Sequence, residues 1–174
     1  MNTIHNFGLL FKNNIGLVSR VSKHIYEKDG NIIHSNMIKV GNYFAFDIEA
    51  SLPSKNNITF DDFIFNKPEK KKLKTENFVV SNIKLYCSDN SGIIHSTSQS
   101  MEELECDILK IHTSVNNAPF SGIPLFNMDM EFLIDTKYSE KDIENKLNRV
   151  KDKYNCEIEI FQNKKIIPTF FLEN

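Results

Sequence analysis

Two short polar loops, each ending in glycine, contain the residues of this sequence that are best suited to chemistry. The first is Asn13-Asn14-Ile15-Gly16 and the second is Asp89-Asn90-Ser91-Gly92. Each follows an alternating apolar segment typical of a strand and precedes an apolar spacing typical of a helix. Glycine lets a ligand approach the backbone, and a helix N-terminus offers unpaired N–H groups that suit a carboxylate. Because Asp89 could accept an amino group beside them, the second loop could recognise an α-amino acid.

The same loops also fit plain strand-to-helix turns, in which glycine supplies the geometry and Asn or Asp caps locally. Taken alone, one such loop favours the plain turn, and duplication accounts for the second occurrence. His95, three residues after Gly92, could hydrogen-bond a ligand or be a satisfied surface histidine. Both alternatives stay open at the level of sequence.

Catalytic constellations are absent from the sequence. The five histidines show no HxH or HExxH spacing, and no GxSxG, Walker or GxGxxG motif occurs. Adjacent carboxylates such as Glu102 and Glu103 do not face each other on a helix, so they make a weak acid/base pair. We therefore expect a protein that is not an enzyme and that carries no metal or cofactor.

Three cysteines, Cys87, Cys106 and Cys156, are an odd number at wide spacing. This pattern favours buried free thiols in a reducing, cytoplasmic compartment over disulfides or a metal site. The formal net charge of −2 over 174 residues gives no global field that would recruit nucleic acid or an anionic membrane. The N-terminus lacks the pattern of a signal peptide, and no apolar run is as long as a membrane span.

An internal repeat organises the chain. Residues 76 positions apart align as strand, glycine loop, helix and strand, with Gly16 matching Gly92. After the second strand the offset becomes 82, because the second copy carries six extra residues within "NNAPFSGIPLF". The second copy continues with a helix whose stripe is Ile143, Leu147, Val150 and Tyr154, capped by Ser139.

The resulting order, βαββαβ, predicts an α+β fold of two ferredoxin-like domains in tandem, with antiparallel sheets and helices on one face. We expect the first domain at residues 1–76, the second at 77–163 and an apolar tail at 164–174. The first domain is irregular after Pro53, where Thr59 could cap a short helix that ends at Pro68.

Three segments resemble the ACT domain, an amino-acid-sensing βαββαβ module: "NNIGLVSRVSKHIYEKDGNI", "SDNSGIIHSTSQSMEELECDI" and "APFSGIPLF". More narrowly, the chain is similar to the tandem-ACT proteins of the glycine cleavage system transcriptional repressor group, which have a similar Ala-Pro-Met-Ser-Gly…Pro-Leu-Phe run. In that family effectors lie between the glycine loop and the start of a neighbouring domain's second strand. The resemblance thus adds Asn31, Ile32, Asp107 and Ile108 as site residues.

The family's loop typically reads Asp-Arg-Pro-Gly. The first copy keeps only Gly16, whereas the second keeps Asp89 and Gly92, so the second is the better ligand-site candidate. The resemblance implies a non-enzymatic regulatory protein that binds a small amino acid such as glycine, with two domains side by side in a homodimer. It would modulate transcription of glycine cleavage genes through a protein partner such as a transcriptional activator, without touching nucleic acid itself. The alternative is a structural or interaction module that has lost ligand binding.

Two apolar features predict interfaces. Phe120, in the inserted loop, either docks on a neighbouring domain or subunit or folds back onto its own sheet. Phe170 and Phe171, in the tail, would be costly to expose, so we expect them to pack on the other copy or on a second chain.

Overall fold

Ten secondary-structure elements follow the predicted order in the computed structural model of the chain, which describes residues 1–60 and 77–168, the last six as backbone alone. The first copy contributes four of them: β1 (Asn2–Lys12), α1 (Leu17–Tyr26), β2 (Asn31–Val40) and β3 (Tyr43–Pro53). The second copy contributes six: β4 (Asn77–Ser88), α2 (Ile93–Glu103), β5 (Asp107–Asn117), β6 (Pro124–Asp135), α3 (Glu140–Tyr154) and β7 (Glu157–Pro168). Among the described residues, no helix is long and apolar enough to cross a membrane.

The described strands form one antiparallel sheet in the order β1-β3-β2-β5-β6-β4-β7. The two copies therefore meet at a seam between β2 and β5, where Ser35 pairs with Thr113 and Met37 with Ile111. The hydroxyls of Ser35 and Thr113 lie 2.8 Å apart in a buried hydrogen bond across this seam. The predicted α+β class and the side-by-side tandem of ferredoxin-like units are confirmed, with both copies sharing one sheet and one core.

The register at the seam makes the two copies related by an approximate twofold axis. Under the repeat offset of 76, Ser35 corresponds to Ile111 and Met37 to Thr113, so each seam pair maps onto the other. An antiparallel pair with this symmetry brings the end of each copy's first strand towards the start of the other copy's second strand. The glycine loop of each copy thus faces the opposite copy.

Helices α1 and α2 begin without a side-chain cap, directly after Gly16 and Gly92 in left-handed conformation. Buried hydroxyls in α2 are satisfied by donating to carbonyls four residues earlier, as Thr97 does to Ile93 and Ser98 to Ile94. Helix α3 begins instead with the predicted Ser139 cap, as a capping box with Asp142.

The second copy extends beyond its predicted boundary. Strand β7 continues to Pro168, where it pairs with Asn77 at the start of β4. The tail predicted to begin at residue 164 therefore starts inside this strand, because the 12-residue β4 offers a backbone partner along its whole length. Two segments lie outside the described residues. The first is residues 61–76, where the first copy's remaining helix, with its predicted end at Pro68, and its last strand were expected. The second is residues 169–174, which include Phe170 and Phe171.

Phe120 projects from the connection between β5 and β6. Its side chain is fully exposed, at 103 %, on a turn closed by a hydrogen bond from the Ala118 amide to the Ile123 carbonyl. The alternative in which Phe120 folds back onto its own sheet is therefore wrong. Docking on a second chain stays a prediction.

Replacing Phe120 by alanine should weaken self-association while leaving the melting temperature of the monomer unchanged, because the ring is fully exposed and packs on none of the described residues. Sedimentation velocity over a concentration series measures the first effect and thermal unfolding the second. Leu10→Ala, at another exposed apolar side chain, is the control. An oligomer distribution identical to wild type would count against docking through Phe120.

Candidate functional site

Two pseudo-symmetric candidate sites lie on either side of the seam. The copy-two site combines the loop ending at Gly92 with Asn31 at the start of β2, and the copy-one site combines the loop ending at Gly16 with Asp107 at the start of β5. Each loop is tied to the hairpin of its own copy, by Asp89 N–H to the Pro124 carbonyl and by Asn13 N–H to the Asn42 carbonyl. The loops are alike in backbone but differ in what surrounds them.

Asp89 is the notable group of the copy-two site. One carboxylate oxygen, Oδ2, accepts a 2.8 Å hydrogen bond from Asn31 of the other copy. The second oxygen, Oδ1, is buried and has no hydrogen-bond partner among the described residues. Loss of solvation raises the pKa of Asp89, and the hydrogen bond from Asn31 partly opposes that rise. Within the part of the chain that the structure describes, this carboxylate therefore has no ion-pair partner.

A small cavity lies between the two copies, and its lining includes Asn31, which donates to Asp89, and Asn90, the next residue of the loop. Its water-accessible volume is about 10 Å³, and it is lined by Ser22, Tyr26, Gly30, Asn31, Gly92 and His95, among others. That volume is about enough for one water molecule. The Tyr26 ring closes it over the glycine, since a Cβ on Gly92 would lie 2.9 Å from Tyr26 Cε2. Tyr26 is 41 % exposed, so its ring lies between the cavity and solvent.

His95 is hydrogen-bonded within the protein, and a hydrogen bond to a ligand stays a prediction. Its Nδ1 lies 3.2 Å from the Ser19 carbonyl and donates to it, and its ring stacks on Tyr26. Burial is the main cause that lowers the pKa of His95, so the ring is neutral at neutral pH and Nε2 is left as an acceptor. The imidazole joins α1 to α2 and lines the cavity as well.

The copy-one site is closed by charged side chains. Asp107 accepts a 3.0 Å hydrogen bond from Asn13 on Oδ1 and a 2.5 Å contact from Lys39 on Oδ2. The Glu102 carboxylate lies directly over Gly16, where an added Cβ would meet its Cδ at 2.5 Å. From helix α1, Arg20 donates to the side chain of Asn14 and to the Ile15 carbonyl of the loop.

The structure brings together four of the residues that the sequence singled out, as the pairs Asn13–Asp107 and Asn31–Asp89. Asn14 and Asn90 instead hold their own loops, each donating to a carbonyl two residues earlier. Ile108 and Ile32 are both buried in the core, and Ile32 also lines the cavity. Ser91 is exposed on the loop surface.

Sequence reasoning missed Tyr26, Lys39 and Glu102. The repeat contained the signal, because the offset of 76 aligns Tyr26 with Glu102 and Lys39 with Val115. Equivalent positions thus place an aromatic ring over one glycine and a carboxylate over the other. A comparison of the side chains that differ between the copies would have identified all three.

Gly92→Ala should cost about 1–2 kcal/mol of folding free energy, because its φ of 86° is left-handed and the new methyl group would press on Tyr26. Chemical denaturation measures this. Gly8→Ala is the matched control, since a Cβ there meets nothing within 4 Å, and it should not destabilise. Equal free energies of unfolding for Gly92→Ala and the wild type would contradict the prediction that a side chain at position 92 is strained.

No protein-family model matches the chain, and no curated protein matches it in sequence. Among solved structures, an aspartate kinase from Synechocystis matches with a TM-score of 0.56 and 12 % identity over 96 % of this chain and 31 % of that one. An unknown protein from Galdieria sulphuraria matches with a TM-score of 0.47 and 16 % identity, covering 94 % and 99 % of the two chains. A putative glycine cleavage system transcriptional repressor matches with a TM-score of 0.40 and 11 % identity, covering 95 % and 99 %. The chain has an ACT-like fold, and at these identities the likeness extends to the fold alone.

Proposed function

We propose that the protein is a non-enzymatic regulatory module that binds a small α-amino acid at the copy-two site. The observation that carries the proposal is the buried Oδ1 of Asp89, which has no hydrogen-bond partner among the described residues and belongs to the loop that leads into α2. An α-amino acid has a cation and an anion close together. The site offers the complement, a carboxylate next to a helix N-terminus.

The ammonium of the ligand would hydrogen-bond Asp89, and its carboxylate would take the free N–H groups of the first turn of α2. Charge-assisted hydrogen bonds of this kind are the strong ones, particularly out of water. Tyr26, at the mouth of the cavity, would close over the ligand and limit the size of its side chain. A small amino acid such as glycine fits these features.

Regulation follows from the division of the site between the copies. Asp89 belongs to the second copy and Asn31 to the first, so a ligand held between them favours the arrangement in which both elements are close. A ligand shifts an equilibrium only by its difference in affinity for the two states. The contact that closes the site is therefore the contact that would transmit binding.

The narrower role rests on the resemblance of the "APFSGIPLF" run and is part of the proposal. A homodimer in the cytoplasm would bind a protein partner such as a transcriptional activator and would modulate glycine cleavage genes through it. Three free, buried cysteines suit a reducing compartment.

Titration calorimetry and thermal shift against each of the twenty common amino acids test the proposal. A bound amino acid should raise the melting temperature. At concentrations above its dissociation constant, the rise should grow with the logarithm of the concentration. No heat and no shift at millimolar ligand would refute amino-acid sensing.

The second candidate is an interaction module without a ligand. It is favoured by the cavity, which has room for about one water, and by Phe120, which is fully exposed. It predicts self-association that depends on Phe120 and does not respond to any amino acid. The same thermal-shift series, repeated on Phe120→Ala, separates the two candidates.

A further inference from the structure

The two glycine loops offer different charges to a ligand although their backbones are alike. In each site an acid and an amide face each other across the seam, but their places are exchanged. The copy-two site has Asp89 on the loop and Asn31 on the strand, whereas the copy-one site has Asn13 on the loop and Asp107 on the strand. Each site therefore has one acid–amide pair across the seam, and the side chain that balances the acid of that pair decides whether a further cation is needed.

In the copy-one site the chain itself supplies the cation. The Lys39 ammonium contacts Asp107 Oδ2 at 2.5 Å, with side-chain exposures of only 25 % and 11 %. The equivalent position of the second copy is Val115, a partly buried apolar residue packed against the core. No side chain of the described residues takes this role at Asp89, whose Oδ1 stays without a hydrogen bond.

The chain supplies the anion as well. Glu102, near the C-terminal end of α2, places its carboxylate over Gly16 at the N-terminus of α1. This is the positive end of a helix, where a carboxylate is favourable. The equivalent residue of the first copy is Tyr26, which brings an uncharged ring over Gly92.

We infer that Lys39 and Glu102 occupy the copy-one site in place of the ammonium and carboxylate of an amino acid, so that each chain binds one ligand and not two. The inference rests on the proposed function for the copy-two site. The copy-one site then acts as a fixed joint between the copies, and the copy-two site is the one that opens and closes. A tandem duplication thus produces a single switch.

The test counts the ligands on the full chain. Calorimetry with each of the twenty common amino acids should give one site per wild-type chain and two per chain of the double variant Lys39→Val/Glu102→Ala. That variant removes both internal charges and places at 39 the residue that the second copy has. Two sites on the wild type, or one on a double variant whose circular dichroism is native, would overturn the inference while leaving the proposed function standing.

A second arm needs no ligand and uses the milder variant Glu102→Gln. At one neutral pH, the ¹H–¹⁵N resonance of Gly16 should differ between the wild type and Glu102→Gln, because the substitution removes the charge that lies over this glycine. Glu144→Gln, on the exposed side of α3, is the control and should leave Gly16 as in the wild type. A Gly16 resonance that is the same in Glu102→Gln as in the wild type overturns the inference, whether or not an amino acid binds. If Gly16 responds to Glu102→Gln but no amino acid binds the wild type, the proposed function is refuted and the placement of Glu102 in the copy-one site stands.

Discussion

Asp89→Asn should weaken amino-acid binding roughly 10- to 100-fold, which corresponds to a charged hydrogen bond of about 1.5–3 kcal/mol. The same substitution should raise the melting temperature. In the free protein the carboxylate loses solvation without a counter-charge on Oδ1, and an amide keeps the shape while removing that cost. Opposite effects on stability and binding are typical of a group retained for function.

The control for this prediction is Asp129→Asn. Asp129 also accepts from an asparagine, Asn82 at 2.7 Å, but on the exposed side of the sheet. It should change neither binding nor, by more than about 0.5 kcal/mol, stability. If Asp89→Asn bound the amino acid with the same dissociation constant as the wild type, Asp89 would not be a ligand-binding residue.

The direction in which amino-acid binding and stability change with pH follows from Asp89. The pKa of Asp89 is raised in the folded state, so as pH falls through that raised value the carboxylate becomes protonated and the ligand loses its counter-charge. Binding should therefore weaken on acidification at pH values higher than those at which an ordinary aspartate becomes protonated.

For stability, a raised carboxyl pKa means that the folded state binds more protons than the unfolded state between the ordinary and the raised pKa. The stability cost of Asp89 is thus absent at low pH and appears as pH rises, so the gap in melting temperature between wild type and Asp89→Asn should narrow on acidification.

Lys39→Met should lower the free energy of unfolding by about 1–3 kcal/mol, because it leaves the nearly buried Asp107 carboxylate without its cation. Methionine retains most of the length of the side chain, so the loss is mainly electrostatic. Urea denaturation at neutral pH measures the difference.

Two further variants isolate that effect. The double variant Lys39→Met/Asp107→Asn should recover most of the loss, since the charge that would be left unpaired is removed too. Lys23→Met breaks an exposed pair with Glu27 at 3.5 Å and should cost less than about 0.5 kcal/mol. A Lys39→Met variant as stable as Lys23→Met would show that the copy-one site does not depend on its internal cation.

Much of the fold was predictable because the apolar residues recur with the period of a strand or of a helix. Alternation at Phe44, Phe46 and Ile48 marks β3, and the stripe from Ile143 to Tyr154 with its Ser139 cap marks α3. The end of β7 was not predictable, because a strand extends as far as its neighbour offers a backbone partner, and that is a property of β4.

The candidate site was predictable in part. Glycine at a strand-to-helix junction identifies both loops, and both glycines do adopt positive φ. The resemblance to a known family added Asn31 and Asp107, which lie far from the loops in sequence. What fills each cleft depends on side chains that cross the seam, and the contact of Glu102 with Gly16 spans 86 residues. Such contacts follow only from the register between β2 and β5.

The central claim is that a single amino acid binds beside Gly92. The most direct measurement is a ¹H–¹⁵N correlation spectrum of the uniformly labelled chain, recorded while the amino acid with the largest thermal shift is added, or glycine if none shifts. The account predicts saturable changes at the amides of Gly92 and Ile93 and at the side-chain amide of Asn31, with Gly16 unmoved. Changes centred on Gly16, or no saturable change at Gly92, would contradict it.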